Sequence, residues 1–190
     1  MQDPIALSAS ELDKTVKPFL LKYAYVDQRN IASFTEQFCV KFNLNSIPRD
    51  PFTLLPEHFG IHIERMSRPS NVPAQWMLDS DADRYVIQTS SYRTSRALVL
   101  SVFHEFFEIL SSNESFPSRL GSTQECELAW QFATHITMPE KIVRTMAADL
   151  GHPDICDKTD VLASRFNVSL SAMRLRLKIL GISAKPNRFR

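Results

Sequence analysis

His104, Glu105 and Glu108 stand at positions i, i+1 and i+4 within the apolar run Ala97-Leu98-Val99-Leu100-Ser101-Val102-Phe103-His104-Glu105-Phe106-Phe107-Glu108-Ile109-Leu110. A helix turns about 100° per residue, so the side chains at 104 and 108 fall one turn apart on the same face. Zinc-peptidase helices use this spacing to offer two ligands to one metal ion, and the residue after the first ligand polarises the metal-bound water. On that pattern His104 and Glu108 are metal ligands, zinc is the cofactor and Glu105 is the catalytic base. The departure from His-Glu-x-x-His lies at Glu108. A carboxylate oxygen binds zinc at a bond length close to that of imidazole, but it adds negative charge and weakens the ion as a Lewis acid. Val99, Val102, Phe103, Phe106 and Leu110 form an apolar stripe on the same segment. Carboxylates in such surroundings are paired, metal-bound or at a surface. The competing reading is an amphipathic core helix whose glutamates face solvent.

A third ligand must come from a different element, and residues 124–135 offer it. Ala129, Phe132, Ala133 and Ile136 mark the buried face of a helix there. Glu125 and Cys126 can both turn toward that face, whereas Glu127 points away and His135, nearly opposite Cys126, falls on the surface. His58 and His62 have no partner at ligand spacing and read as a helix-surface and a strand-surface residue. Cys39 lies on an apolar helical stripe and reads as a buried structural thiol.

The elements that position these residues follow from periodicity. Residues 11–45 predict two helices, one carrying Leu12, Val16, Phe19, Leu20 and Tyr23 with a kink or break at Pro18, the other Ile31, Phe34, Phe38, Cys39 and Phe42. Asp50 followed by Pro51 predicts a capped helix start, and Gly60 its stop. Ile61 and Ile63 then alternate as a strand. Two more strands are expected at residues 74–78 and 84–88. They are joined by Asp79-Ser80-Asp81-Ala82-Asp83, a solvated hairpin turn without the glycine and distal glutamate of a calcium loop. Thr94 or Ser95 caps the central helix, residues 111–123 form a loop, and residues 141–150 form a further helix.

The close of the chain reads as helix, tight turn, helix. Asn167 takes the left-handed turn position and Ser169 caps a second helix bearing Arg174, Arg176 and Lys178. Lys158, Arg165, Arg174, Arg176, Lys178, Lys185, Arg188 and Arg190 face a single acidic residue, Asp160, so residues 158–190 could contact the phosphates of DNA. A small helical lid packed on the main domain is the alternative. Over the whole chain the balance is nearly even: the formal net charge of +1 excludes a general nucleic-acid or membrane binder. An odd number of cysteines, 3, gives no disulfide framework, and with no signal peptide or membrane span the expected location is cytoplasmic.

Taken in order, IPRDPFTLLPEHFGIHIE, YRTSRALVLSVFHEFFEIL, ELAWQFATHITMP and DVLASRFNVSLSAMRLRLKILGI resemble the ImmA/IrrE family of gluzincin-like metallopeptidases over roughly residues 46–182. The resemblance implies an α+β fold: a mostly helical zincin-like domain (46–150) with a small antiparallel sheet, after an N-terminal helical region (1–45) and before a helix-turn-helix-like basic segment (151–190). It implies His104 as first zinc ligand, Glu105 as base, Glu108 at the second-ligand position, and Cys126 at the third, with Glu125 beside it. The implied function is a zinc-dependent endopeptidase acting on a helix-turn-helix repressor in gene regulation. With two of three ligand positions changed, the alternative is a degenerate member working as a metal-free DNA- or repressor-binding regulator.

Overall fold

The structure, a computed structural model, describes residues 7–67, 71–117, 121–150 and 159–182. Lys158, Lys185, Arg188 and Arg190 of the basic segment, and the expected boundary near residue 151, lie outside the described residues.

Helix α1 (Ala9–Leu20) opens on a reciprocal cap, Ser8 accepting from the Glu11 N–H while the Glu11 carboxylate accepts from the Ser8 N–H. It runs through Pro18 and stops two residues later, so the expected break falls at the helix end. It buries Leu12, Val16, Phe19 and Leu20. Helix α2 (Ile31–Lys41) sets Phe34 and Phe38 into an aromatic cluster, with ring centroids 5.2 Å from Phe19 to Phe34 and 5.8 Å from Phe38 to both Phe106 and Phe132. Helix α3 (Pro51–Phe59) starts as its sequence requires: the Asp50 carboxylate accepts from the Phe52 N–H and Pro51 is the first helical residue. Gly60 ends it at φ 64°, and a Cβ there would run into the backbone of Leu7.

Strands β1 (His62–Arg65), β2 (Ala74–Asp79) and β3 (Arg84–Thr89) form one sheet in the order β1-β3-β2. β2 and β3 are an antiparallel hairpin with Trp76 opposite Ile87, whereas β1 runs parallel to β3 with Ile63 opposite Ile87. The sheet is therefore mixed, a correction to the antiparallel expectation. The short 80–83 turn forces β2 and β3 to be antiparallel. The longer connection after β1 lets the chain cross to the far side of β3 before β2 begins.

Helix α4 (Ser95–Ser112) packs against β2, β3 and α5 (Ser122–Thr137), and α5 also packs against α2. Helices α6 (Glu140–Asp149), α7 (Thr159–Arg165) and α8 (Leu170–Ile179) follow. The turn before α8 has Asn167 at φ 53°, and the Ser169 hydroxyl accepts from the Ala172 N–H. The buried apolar residues form a continuous cluster from α1 to α8, with Leu162, Phe166, Val168, Met173 and Leu177 joining it at the C-terminal end. The architecture is α+β, mostly helical with a small mixed sheet.

Candidate functional site

Being wrapped by sheet and helix, α4 is apolar on most of its circumference: Leu98, Val99, Val102, Phe103, Phe106 and Phe107 are fully buried. Its polar residues are buried with it. His104 is 7% exposed and Glu105 9%, while Glu108 is half-buried. Glu105 thus does not face solvent as an ordinary amphipathic helix would have it.

One turn of α4 brings the three side chains together, with ligand-capable atoms of His104, Glu105 and Glu108 within 4.8 Å of one another. His104 Nε2 lies 3.1 Å from Glu108 Oε1. The edge strand completes the knot, because the Trp76 backbone N–H donates to Glu105 Oε2 at 3.0 Å. Trp130 of α5 covers the imidazole, with ring centroids 4.4 Å apart and tilted by 47°. Burial, and next the neighbouring Glu108 charge, push the Glu105 carboxyl up to about 7, against the opposing pull of His104 and the Trp76 N–H. Glu108 is held below the ordinary carboxylate range, chiefly by its hydrogen bond from His104.

The candidates on α5 stand outside this group. Ser111 Oγ donates to Glu125 Oε1, Cys126 is exposed, and the exposed Glu127 accepts from Gln28 Nε2 at 2.6 Å. The pairs Ser111–Glu125 and His104–Trp130 show α4 and α5 running antiparallel. That places Trp130, four residues after Cys126, over the histidine.

Two features run against a zincin-type zinc centre here. A metal-bound histidine donates its second ring N–H to an acceptor that fixes its tautomer. His104 Nδ1 is buried with no hydrogen-bond partner among the described residues. The tautomer with its proton on Nε2 donates to Glu108 and leaves only a lone pair at Nδ1. The reverse tautomer, which a metal on Nε2 requires, would bury an unsatisfied N–H at a cost of about 1–3 kcal/mol. Second, among the described residues the clustered donors come from a single helix turn, whereas a catalytic zinc site needs three protein ligands besides the general base, and here only His104 and Glu108 remain once Glu105 is given that role.

A second polar centre lies at the C-terminal end of α5. Arg49, 5% exposed, donates from Nε to Leu44 O and from Nη1 to Ile136 O. Arg176 of α8, 3% exposed, donates from Nε to Met138 O at 3.0 Å, and its Nη2 lies 3.5 Å from His135 Nδ1. Two guanidinium groups thus satisfy carbonyls at the negative end of a helix. His135 is half-buried rather than on the surface. Burial, then the Arg176 charge, lower it to about 4 despite Glu140. Arg176, expected on the phosphate-facing side of its helix, is structural; Arg165, Arg174 and Lys178 are the exposed cations of the described segment, beside the exposed Leu175 and Ile179.

Trp76, Trp130 and Arg49 are the contributors that sequence reading missed. Trp130 alone left a signal, its four-residue spacing from Cys126; the partners of Trp76 and Arg49 are set by tertiary packing.

No protein-family model matches this chain, and no curated protein matches it. Among solved structures it is similar to a Mycobacterium tuberculosis transcriptional regulator, at 15% identity and a TM-score of 0.57, over 93% of this chain and 53% of that one. The chain therefore spans about half the length of that structure, and the likeness is one of fold. Among the described residues no helix is long and apolar enough to cross a membrane.

Proposed function

We propose that this protein is a regulatory member of the ImmA/IrrE type in which the His104-Glu105-Glu108 cluster is a metal-free hydrogen-bonded knot rather than a zinc centre. The carrying observation is the orientation of His104, with Nε2 engaged by Glu108 and Nδ1 buried without a partner among the described residues. Trp76 answers Glu105 and His104 answers Glu108, so among the described residues each carboxylate has a protein partner. The fold likeness to a transcriptional regulator supports the same direction. The partner would dock on α8, where Leu175 and Ile179 lie one turn apart beside Arg174 and Lys178. An exposed apolar pair suits a regulatory protein of the repressor type better than a phosphate backbone, whose contacts are charged and polar.

The second reading is a zinc endopeptidase acting on such a repressor, and its support is the 4.8 Å convergence of three ligand-capable side chains. Metal analysis of protein purified without added zinc, then dialysed against zinc, separates the two. The regulatory reading expects no stoichiometric zinc. One zinc per chain, lost in His104→Ala, would overturn it.

A further inference from the structure

A cleft of about 730 Å³ lies away from the His104 cluster, between α2 and the start of α6. Ala32, Val40 and Ile142 give it apolar walls, and Arg49 reaches it from the loop before α3. That arginine is buried without a counter-charge: no Asp or Glu oxygen lies within 4.0 Å of it among the described residues. Nε and Nη1 are used on carbonyls, whereas Nη2 has no protein partner there. Nη2 is nevertheless absent from the sealed, unsatisfied atoms, which among the described residues are His104 Nδ1 alone, so it keeps exposed surface on a residue that lines the cleft. A buried cation of this kind ordinarily carries an anion.

The second feature is the start of α6. Pro139 is its N-cap and has no side-chain acceptor, and the N–H groups of Glu140, Lys141 and Ile142 find no acceptor among the described residues. All three residues line the cleft. Open N–H groups at a helix start favour negative charge. Of the acidic groups on the rim, Glu140 is paired with Arg144 at 2.7 Å, which leaves Glu36 as the carboxylate without an ion pair among the described residues.

We propose that this cleft binds a small organic carboxylate, its oxygens held by Arg49 Nη2 and the first N–H groups of α6, its apolar body against Ala32, Val40 and Ile142. A volume of this size accommodates a metabolite-sized ligand. A carboxylate suits the site because its planar pair of oxygens matches guanidinium and backbone N–H donors.

The test is a titration of the full chain with acetate and benzoate, followed by amide chemical shifts, with benzamide and benzylammonium as neutral and cationic controls. Benzoate is expected to move the Glu140, Lys141 and Ile142 amides saturably, and benzamide and benzylammonium are not. Lys141→Glu, an exposed change that keeps the fold, should weaken benzoate at least about three-fold, and Glu36→Gln should strengthen it. Arg49→Met should abolish saturation; if it unfolds the chain, the Lys141 and Glu36 variants carry the test. No saturable shift with either carboxylate, equal shifts with benzamide, or indifference to both surface variants would overturn the proposal.

Discussion

The Trp76 backbone N–H donates to Glu105 Oε2 at 3.0 Å, so an edge-strand donor is spent on the one carboxylate that a zincin would keep for water. That bond ties β2 to α4 through a group that is otherwise costly to bury.

Glu105 has its folded pKa raised to about 7 by burial and by Glu108, above the value near 4.5 of an exposed carboxyl. Between those values the folded state binds more protons than the unfolded one, so stability falls as pH rises from about 4.5 to about 7 and then levels. Glu105→Gln keeps an oxygen for the Trp76 N–H and removes the titration. Urea unfolding should show the variant more stable than the parent at pH 8 by about 1–3 kcal/mol and nearly equal to it at about pH 4.5. A difference that is the same at both pH values would remove Glu105 as the titrating group.

His135 works in the opposite sense. Its folded pKa is depressed to about 4 by burial and then by Arg176, so the unfolded state takes up a proton first as pH falls. The stability it contributes is complete above about pH 6.5 and is lost as pH falls through about 4. His135→Gln, which can still accept from Arg176, should flatten the acid limb of the stability profile. An unchanged acid limb would count against the burial of this ring.

Much of this architecture was legible in the chain because the signals are local. Asp50-Pro51 and Gly60 bounded α3, Thr94 began α4, and Ser169 with Asn167 fixed the turn before α8, each through a cap or a left-handed φ encoded within a few residues. The partner of a side chain is not encoded locally. Arg176 follows Arg174 by two residues and has the same chemistry, yet one is buried under Met138 O and the other exposed, because a step of two rotates a helical position by about 200°. The same limit applied to His104. Spacing placed Glu108 beside it, whereas the absence of an acceptor for Nδ1 among the described residues depends on what α4 packs against.

The two arginines of α8 should therefore separate experimentally. Arg176→Ala leaves the Met138 carbonyl without its donor and should cost about 1–3 kcal/mol by denaturant unfolding. Arg174→Ala should stay within about 0.5 kcal/mol of the parent. If residues 158–190 meet a DNA duplex, Arg174→Ala with Lys178→Ala should flatten the salt dependence of binding. Salt-independent binding of a protein partner, sensitive to Leu175→Asp, would favour docking through the apolar pair.

The sharpest prediction concerns what the site lacks as a zinc centre. Glu108→His with Cys126→Glu restores the donor types that the family resemblance implies at the second and third positions. Position 126 lies one turn before Trp130, which already sits 4.4 Å from the His104 ring, so a longer carboxylate there starts from the correct face of α5. Removing Glu108 also frees His104 Nε2 from its present partner. The double variant should then take up one zinc per chain, seen by metal analysis and by a rise in Tm on zinc addition, since an ion bound only by the folded state stabilises it. Its affinity should remain about 10–100-fold below that of a centre with an outer acceptor, because Nδ1–H would still have none among the described residues. Zinc uptake by the parent equal to that of the double variant would show that the present His104-Glu108 pair already serves a metal. Failure of the double variant to bind zinc while it remains folded would show that Trp130 and the packing of α5 close the site whatever donors line it.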